Sequence, residues 1–298
     1  MAINSILNFI KAIHEFPRDE ECEYYFRGHS DFKYTVIPSI YREPIGKKKK
    51  PFINSEEKIF REVILRTPND FSSEKTTIEK LVKMQHYGLP TRILDITSNP
   101  LVALYFACDE RFSNSDGEVL IIKVPKKEIR FYDSDTVSIL SNLSRRPINF
   151  DVTDILTQFQ ELEQMHPNSK DNLVWFNEQE PIPYLLHEIR DEKPHFLSII
   201  SPYDFNRVIP VRVKLNNSRI LKQSGAFLLF GMNGQKSSSA QVPNDWILNK
   251  STNATNFRIT KNRKQAILKD LDALEINEST LFPEIEQQSK YIRELYEK

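Results

Sequence analysis

Three short stretches of the chain gather the side chains able to do chemistry. The first is Tyr25-Phe26-Arg27-Gly28-His29-Ser30-Asp31. An arginine ending an apolar run presents a planar five-donor fork suited to phosphate or carboxylate, and a glycine beside it lets backbone approach a ligand closely. The plain structural reading of the same residues is a surface arginine beside a turn. The second stretch, Gln85 to Pro100, holds His86, Tyr87, Thr91, Arg92, Asp95, Thr97 and Ser98. Arg92 and Asp95, spaced three apart, can form a buried ion pair that fixes the loop and orients its neighbours. Thr97 and Ser98 precede a helix start, where backbone N–H groups favour an anion, although simple capping is the commoner use. In the third, Asn217 to Phe227, Gln223 and Ser224 stand just before Gly225 and an apolar run. A glutamine there can bond a ribose hydroxyl or an amide, but it is no general base. His29 and His86 have no His or Cys partner at ligand spacing, so no metal site is expected.

These stretches need elements to hold them. Cys22–Arg27 reads as a strand stopped by Gly28 and Asp31. Thr76 with Glu79 forms a capping box for a helix carrying Ile78, Leu81 and Val82, ended by Gly88 and Pro90. Asn54 with Glu57 reads as a second capping pair, ahead of Ile59, Phe60, Val63 and Ile64 at helical spacing. Asn99-Pro100 starts a further helix, Leu101–Cys108, so apolar that burial on every side is expected. Strands are expected at Glu118–Val124, Val208–Leu215 and Ala226–Phe230. Ile3–Glu15 reads as an amphipathic helix, and about Asp135 to Pro194 as helical throughout. The last 40 residues read as two helices with Ile267, Leu271 and Leu274 on one face. The pattern is α+β.

Composition narrows the field. Forty-one Lys and Arg balance 41 Asp and Glu, which excludes a coat for nucleic acid or anionic membrane held by bulk charge but not a local basic cleft. Only 7 glycines, with no Gly-x-Gly pair, count against a phosphate cradle built on a glycine-rich turn. Two cysteines cannot build a disulfide framework. No run approaches the roughly 18 apolar residues that span a bilayer, and the N-terminus lacks a signal-peptide pattern, so a cytoplasmic protein is expected. Lys47–Lys50 reads as a solvated loop, with a phosphate patch the less common alternative, and Ser251–Asn256 as another polar loop.

Together the three stretches resemble the FRG domain, a bacterial family named for its Phe-Arg-Gly motif. Phe26 to Asp31 resembles the naming motif, and Pro38-Ser39-Ile40-Tyr41-Arg42 its usual sequel. Gln85 to Asp95, followed by Pro100-Leu101-Val102-Ala103-Leu104-Tyr105-Phe106-Ala107, is similar to the family's strongest block. Arg219-Ile220 with Gln223 to Phe227, and Leu281-Phe282-Pro283-Glu284 followed by Tyr291-Ile292, resemble its later blocks. The resemblance implies one domain over 1–298, with a core at about 20–130 and 205–250, a helical insert at about 135–200 and C-terminal helices at about 260–298.

A more remote likeness joins Tyr25-Phe26-Arg27-Gly28 to the first-strand Arg-Gly of Arg–Ser–Glu class mono-ADP-ribosyltransferases. Asp95-Ile96-Thr97-Ser98, with Ala103 and Phe106 after it, resembles that class's Ser-Thr-Ser strand and following helix. This likeness implies an ADP-ribosyltransferase-like split β core and, with the defence association that the family resemblance implies, an NAD-dependent transferase of bacterial toxin or phage-defence type. NAD would be the substrate, a protein or nucleic acid the acceptor, an antitoxin a candidate partner, and no metal would be needed. Arg27, Thr97, Gln223 and Asp95 become the catalytic candidates. Gly28, His29, His86, Tyr87, Arg92, Ser98 and Phe227 become the NAD-holding ones, with Tyr87 stacking on nicotinamide. The strand carrying the class's catalytic glutamate falls near Lys222-Gln223-Ser224, yet no glutamate occurs between Glu192 and Glu275. Its carboxylate is therefore replaced by Gln223 or supplied from elsewhere, with Asp95 the nearest. That departure keeps two rivals open: a non-catalytic nucleotide or nucleic-acid sensor in the same cleft, and a metal-free RNase-like toxin using Arg27, His29 and His86.

Overall fold

The structure, a computed structural model, describes residues 2–43, 50–109, 114–214, 218–248 and 257–296. The apolar, β-branched runs form the strands: β1 Ala2–Ile3, β2 Cys22–His29, β3 Ile93–Thr97, β4 Gly117–Pro125, β5 Arg130–Phe131, β6 Val208–Arg212, β7 Gly225–Phe230 and β8 Arg258–Ile259. They make one mixed sheet in the order β1-β8-β4-β2-β3-β7-β6-β5, parallel at β1–β8 and β5–β6 and antiparallel elsewhere.

Pairing along this sheet is uneven. β2 pairs with β4 through every residue from Cys22 to His29, and β3 with β7 from Ile93 to Thr97. β2 and β3 meet at one register pair, Phe26 with Thr97. The sheet is thus two ribbons that part beyond Phe26, which leaves Arg27 to His29 unpaired on their β3 side. That parting makes room for a site.

Nine helices precede the C-terminal segment among the described residues: α1 Ile6–His14, α2 Glu56–Arg66, α3 Thr77–His86, α4 Pro100–Cys108, α5 Asp135–Asn142, α6 Thr153–Met165, α7 Lys170–Glu178, α8 Ile182–Glu192 and α9 Ser218–Lys222. The Thr76–Glu79 capping box and the Asn99 cap with Pro100 at the first turn form as their residues dictate. Phe26, Val119 and Ile121 pack beneath α4 with α1 and the Lys264–Asp272 helix, whereas Ile93, Phe227, Leu229 and Ile209 pack against α2, α3 and the 135–192 helices. The register puts Phe26 and Thr97 side by side, so these two helical layers cover the same face of the two ribbons, and a gap separates them. The opposite face is covered by Val242, Trp246 and Ile247.

Several expectations are corrected. Asn54 and Glu57 make no capping pair: a 3-10 turn, Phe52–Ser55, runs straight into α2, and Ser55 makes no side-chain cap bond. α4 is buried on most sides, but Leu101 and Phe106 are only half-buried, and Phe106 borders the gap. The C-terminal part forms three helices, Lys264–Asp272, Glu278–Leu281 and Ile285–Tyr296, with Ile267 and Leu271 buried but Leu274 52% exposed. β6 ends at Arg212, and Leu215 lies outside the described residues, as do Lys47–Lys49 and Ser251–Asn256. Lys50 is exposed.

Gly28 also gains a different reason. A Cβ there would lie 2.0 Å from the Ala103 carbonyl oxygen, and one at Gly117 2.1 Å from that of Ala107. The close approach expected of a ligand is made by α4, which seats on the sheet through these two glycines.

Candidate functional site

A cleft of about 470 Å³ opens where the ribbons part. Arg27 reaches across the gap, its Nη1 donating to the Asp95 backbone carbonyl at 2.6 Å and its Nε to His29 Nε2 at 3.1 Å. An acceptor Nε2 places the neutral ring's proton on Nδ1, which lies 3.8 Å from Glu118 Oε1. His29 is 2% exposed, so it serves to hold Arg27 more than to meet a substrate. Burial draws the Arg27 guanidinium down to about 10, with Asp95 opposing and Arg42 adding to the fall; it stays a cation at neutral pH. Arg42 also lines the cleft, braced on the Ile37 carbonyl at 3.2 Å, and burial lowers it while Asp95 and Tyr34 oppose.

Asp95 is the sole carboxylate on the cleft wall among the described residues. Its Oδ2 accepts from Gln85 Nε2 at 2.8 Å. Thr97 Oγ1 donates to the Gln223 carbonyl at 2.6 Å and accepts from Asn99 N at 3.0 Å. That hydroxyl ties the end of β3 to the turn before β7. The turn holds Ser224 at a positive φ of 47°, a left-handed conformation that costs a non-glycine residue on the order of 1 kcal/mol. Gln223 itself donates Nε2 to the Leu281 carbonyl at 3.0 Å, which fixes its amide and turns its oxygen away from that bond.

His86 ends α3 at the cleft. Burial first, then Arg219, pushes its imidazole down to about 4 against the pull of Asp95, so it is neutral near pH 7. Its Nδ1 has no hydrogen-bond partner among the described residues. Arg219 donates to the His86 carbonyl at 3.1 Å, lies over the Phe282 ring at 4.6 Å and stands 3.9 Å from Glu284. A neutral imidazole, three arginines and one carboxylate around an open volume suit an anionic ligand that also carries hydroxyl groups.

The fold brings Arg27, Gly28, His29, His86, Asp95, Thr97, Gln223 and Phe227 onto one cleft. It does not bring the other three. Tyr87 is 71% exposed outside the cleft, so it is in no position to stack on a ring bound there. Ser98 is exposed and borders a groove lined by Tyr25 and Arg212, beyond the crossing. Arg92 is fully buried and pairs with Glu56 through two contacts of 2.9 and 2.5 Å, which overturns the expected pair with Asp95. Arg92 stands just before β3, where the first residue of α2 and the Phe230 carbonyl meet its guanidinium, whereas Asp95 lies in the middle of β3 on the cleft wall. Sequence reasoning missed Arg42, Gln85 and Phe106 as cleft-related residues. Arg42 and Gln85 ended or began blocks already singled out, and that adjacency was the available signal.

Among the described residues no group of three His, Cys, Asp or Glu is placed to hold a metal ion, and no helix is long and apolar enough to cross a membrane. The FRG domain model matches residues 22–116. This span runs from the start of β2 to the residue before β4 and carries Arg27, Arg42, Asp95 and Thr97; the blocks at Arg219–Phe227 and Leu281–Ile292 lie beyond it. No protein of curated function and no solved structure matches the chain.

Proposed function

Residues 22–116 being an FRG domain, we propose that the cleft binds NAD and that the protein transfers ADP-ribose from it to a protein or nucleic acid. One observation carries the reading: Arg27, Thr97 and Gln223, from three widely separated blocks, line a single cleft at the point where the sheet splits. Arg27 and Arg42 supply forks for the diphosphate. Thr97 and the Gln223 amide oxygen offer partners for ribose hydroxyls, and Phe106 offers apolar surface to a ring.

The reaction breaks the bond between ribose C1′ and the nicotinamide nitrogen. The bonding pair leaves with nicotinamide, which departs neutral, and positive charge spreads over C1′ and the ring oxygen. A lone pair of the acceptor then bonds C1′, and the acceptor's proton passes to solvent. A carboxylate beside the sugar stabilises that charge, as in glycoside cleavage, and Asp95 is the group available.

A second reading is binding without turnover. It is favoured by the absence of any glutamate from the cleft wall among the described residues, where Gln223 offers only an amide. Incubating the pure, folded protein with NAD labelled in the adenylate and with cell lysate separates the two. Nicotinamide release with label on a macromolecule supports transfer. Saturable NAD binding with neither release nor label selects the sensor, and no binding of NAD removes both.

A further inference from the structure

The segment Gln85 to Asp95 contains a hydrogen-bonded chain that the proposed function has so far not used. Thr91, 1% exposed, donates Oγ1 to Gln85 Oε1 at 2.6 Å. Gln85 then donates Nε2 to Asp95 Oδ2 at 2.8 Å. A hydroxyl is donor and acceptor, an amide has one end of each kind, and an ionised carboxylate only accepts. The carboxylate can take only the NH2 end of Gln85, so the amide oxygen turns to Thr91, whose hydroxyl donates to it. Turned over, the amide would set its oxygen against a carboxylate oxygen and its NH2 against the hydroxyl. Two lone-pair groups in contact in a partly buried site are unfavourable by roughly the full worth of a hydrogen bond.

The chain is anchored at both ends. Thr91 N donates to Ser39 Oγ at 3.2 Å, and Ile40 N donates to the Thr91 carbonyl at 3.2 Å, so the loop carrying Thr91 is pinned to the segment that brings Arg42. Gln85 sits in the last turn of α3, and Asp95 in the middle of β3. One carboxylate oxygen is therefore held by rigid elements while the group faces the cleft between Arg27 and Arg42, both of which feel its charge.

We propose that Gln85 and Thr91 are positioning residues: Asp95 sets the sense of the Gln85 amide, Thr91 braces the amide oxygen, and Gln85 so held fixes Asp95 as the preformed carboxylate that faces the developing positive charge. This inference rests on the transferase reading and supplies the carboxylate that Gln223 cannot. It also gives the Gln85, Thr91 and Asp95 spacing one shared reason, distinct from that of Arg92 between them.

The test pairs Thr91→Val, Thr91→Ser and Gln85→Leu with two readouts. The first is proton exchange at the Gln85 side-chain amide, followed by NMR without ligand. The second is steady-state nicotinamide release from NAD. In the parent protein the amide protons are expected to be protected. Thr91→Val, which keeps shape and loses the hydroxyl, should abolish that protection and lower kcat by roughly 10–100-fold with KM for NAD within about twofold. Gln85→Leu should lower kcat equally, and Thr91→Ser should restore both readouts. Nicotinamide release indifferent to Thr91→Val, or lost in Thr91→Val and not regained in Thr91→Ser, overturns the positioning role and leaves the transferase reading standing. No release by the parent protein, with its amide protected, removes the transferase reading itself and this role with it.

Discussion

Two charge clusters, to which Arg92 and Asp95 contribute from three residues apart in the chain, differ in what surrounds them. In the first, Glu56 accepts both forks of Arg92 and stands 3.1 Å from Lys236 Nζ, with all three side chains nearly inaccessible. The Phe230 carbonyl accepts from Arg92 and the Arg146 carbonyl from Lys236, so two cations against one carboxylate are satisfied by backbone oxygen. Burial works to raise Glu56, but Arg92 and Lys236 outweigh it and hold it below the usual carboxylate range. Burial draws Lys236 down to about 8 against Glu56. In the second cluster Arg27, Arg42 and Arg219 face Asp95 across open volume. Charge imbalance is common to both. A closed cluster answers it with carbonyls and becomes structure, whereas an open one answers it with whatever anion enters.

The sharpest way to break that contrast is Glu56→Gln. It leaves Arg92 and Lys236 buried without a countercharge, and the expected loss of unfolding free energy is about 3–5 kcal/mol, measured by urea denaturation. A loss below about 1 kcal/mol would show that the closed cluster is not held by charge. Arg27→Ala is the matching change in the open cluster. NAD affinity should fall by about 100-fold, or about 2.7 kcal/mol, by calorimetry, with less damage to stability than Glu56→Gln causes. Unchanged affinity would place the anion elsewhere.

The smallest expected effect is on acid stability. His86 is held near 4 in the folded protein, against an ordinary value of 6.5. Between these values the unfolded chain binds the proton that the folded one refuses, so stability present above pH 6.5 declines as pH falls and levels off below about 4. Partial exposure limits this to no more than about 2 kcal/mol. His86→Gln should flatten that limb of the unfolding curve while leaving the limb set by other groups. An unchanged limb would place the acid sensitivity elsewhere.

Capping chemistry was the most legible part of the fold. Thr76 with Glu79 and Asn99 with Pro100 act within one turn, so their outcome hardly depends on distant chain. Asn54 with Glu57 had the same spacing and failed, because a 3-10 turn brings Ser55 to the start of α2 and places Glu57 inside the helix. The site was half legible. Arg27, Asp95, Thr97 and Gln223 could be singled out by type, but Arg92 looked equally suitable and is sealed inside.

By itself the sequence determined the local elements, the apolar faces and the set of polar residues from which a site had to be drawn, since these follow from nearest neighbours and periodicity. The tertiary structure alone decided that β2 and β3 pair at Phe26 and Thr97 and then part, because strand pairing is a long-range choice. It also decided that Gly28 makes way for α4, and that Arg92 and Asp95 serve different clusters. A side chain's type states which bonds it can make; which partner arrives is settled by where the fold closes and where it leaves space.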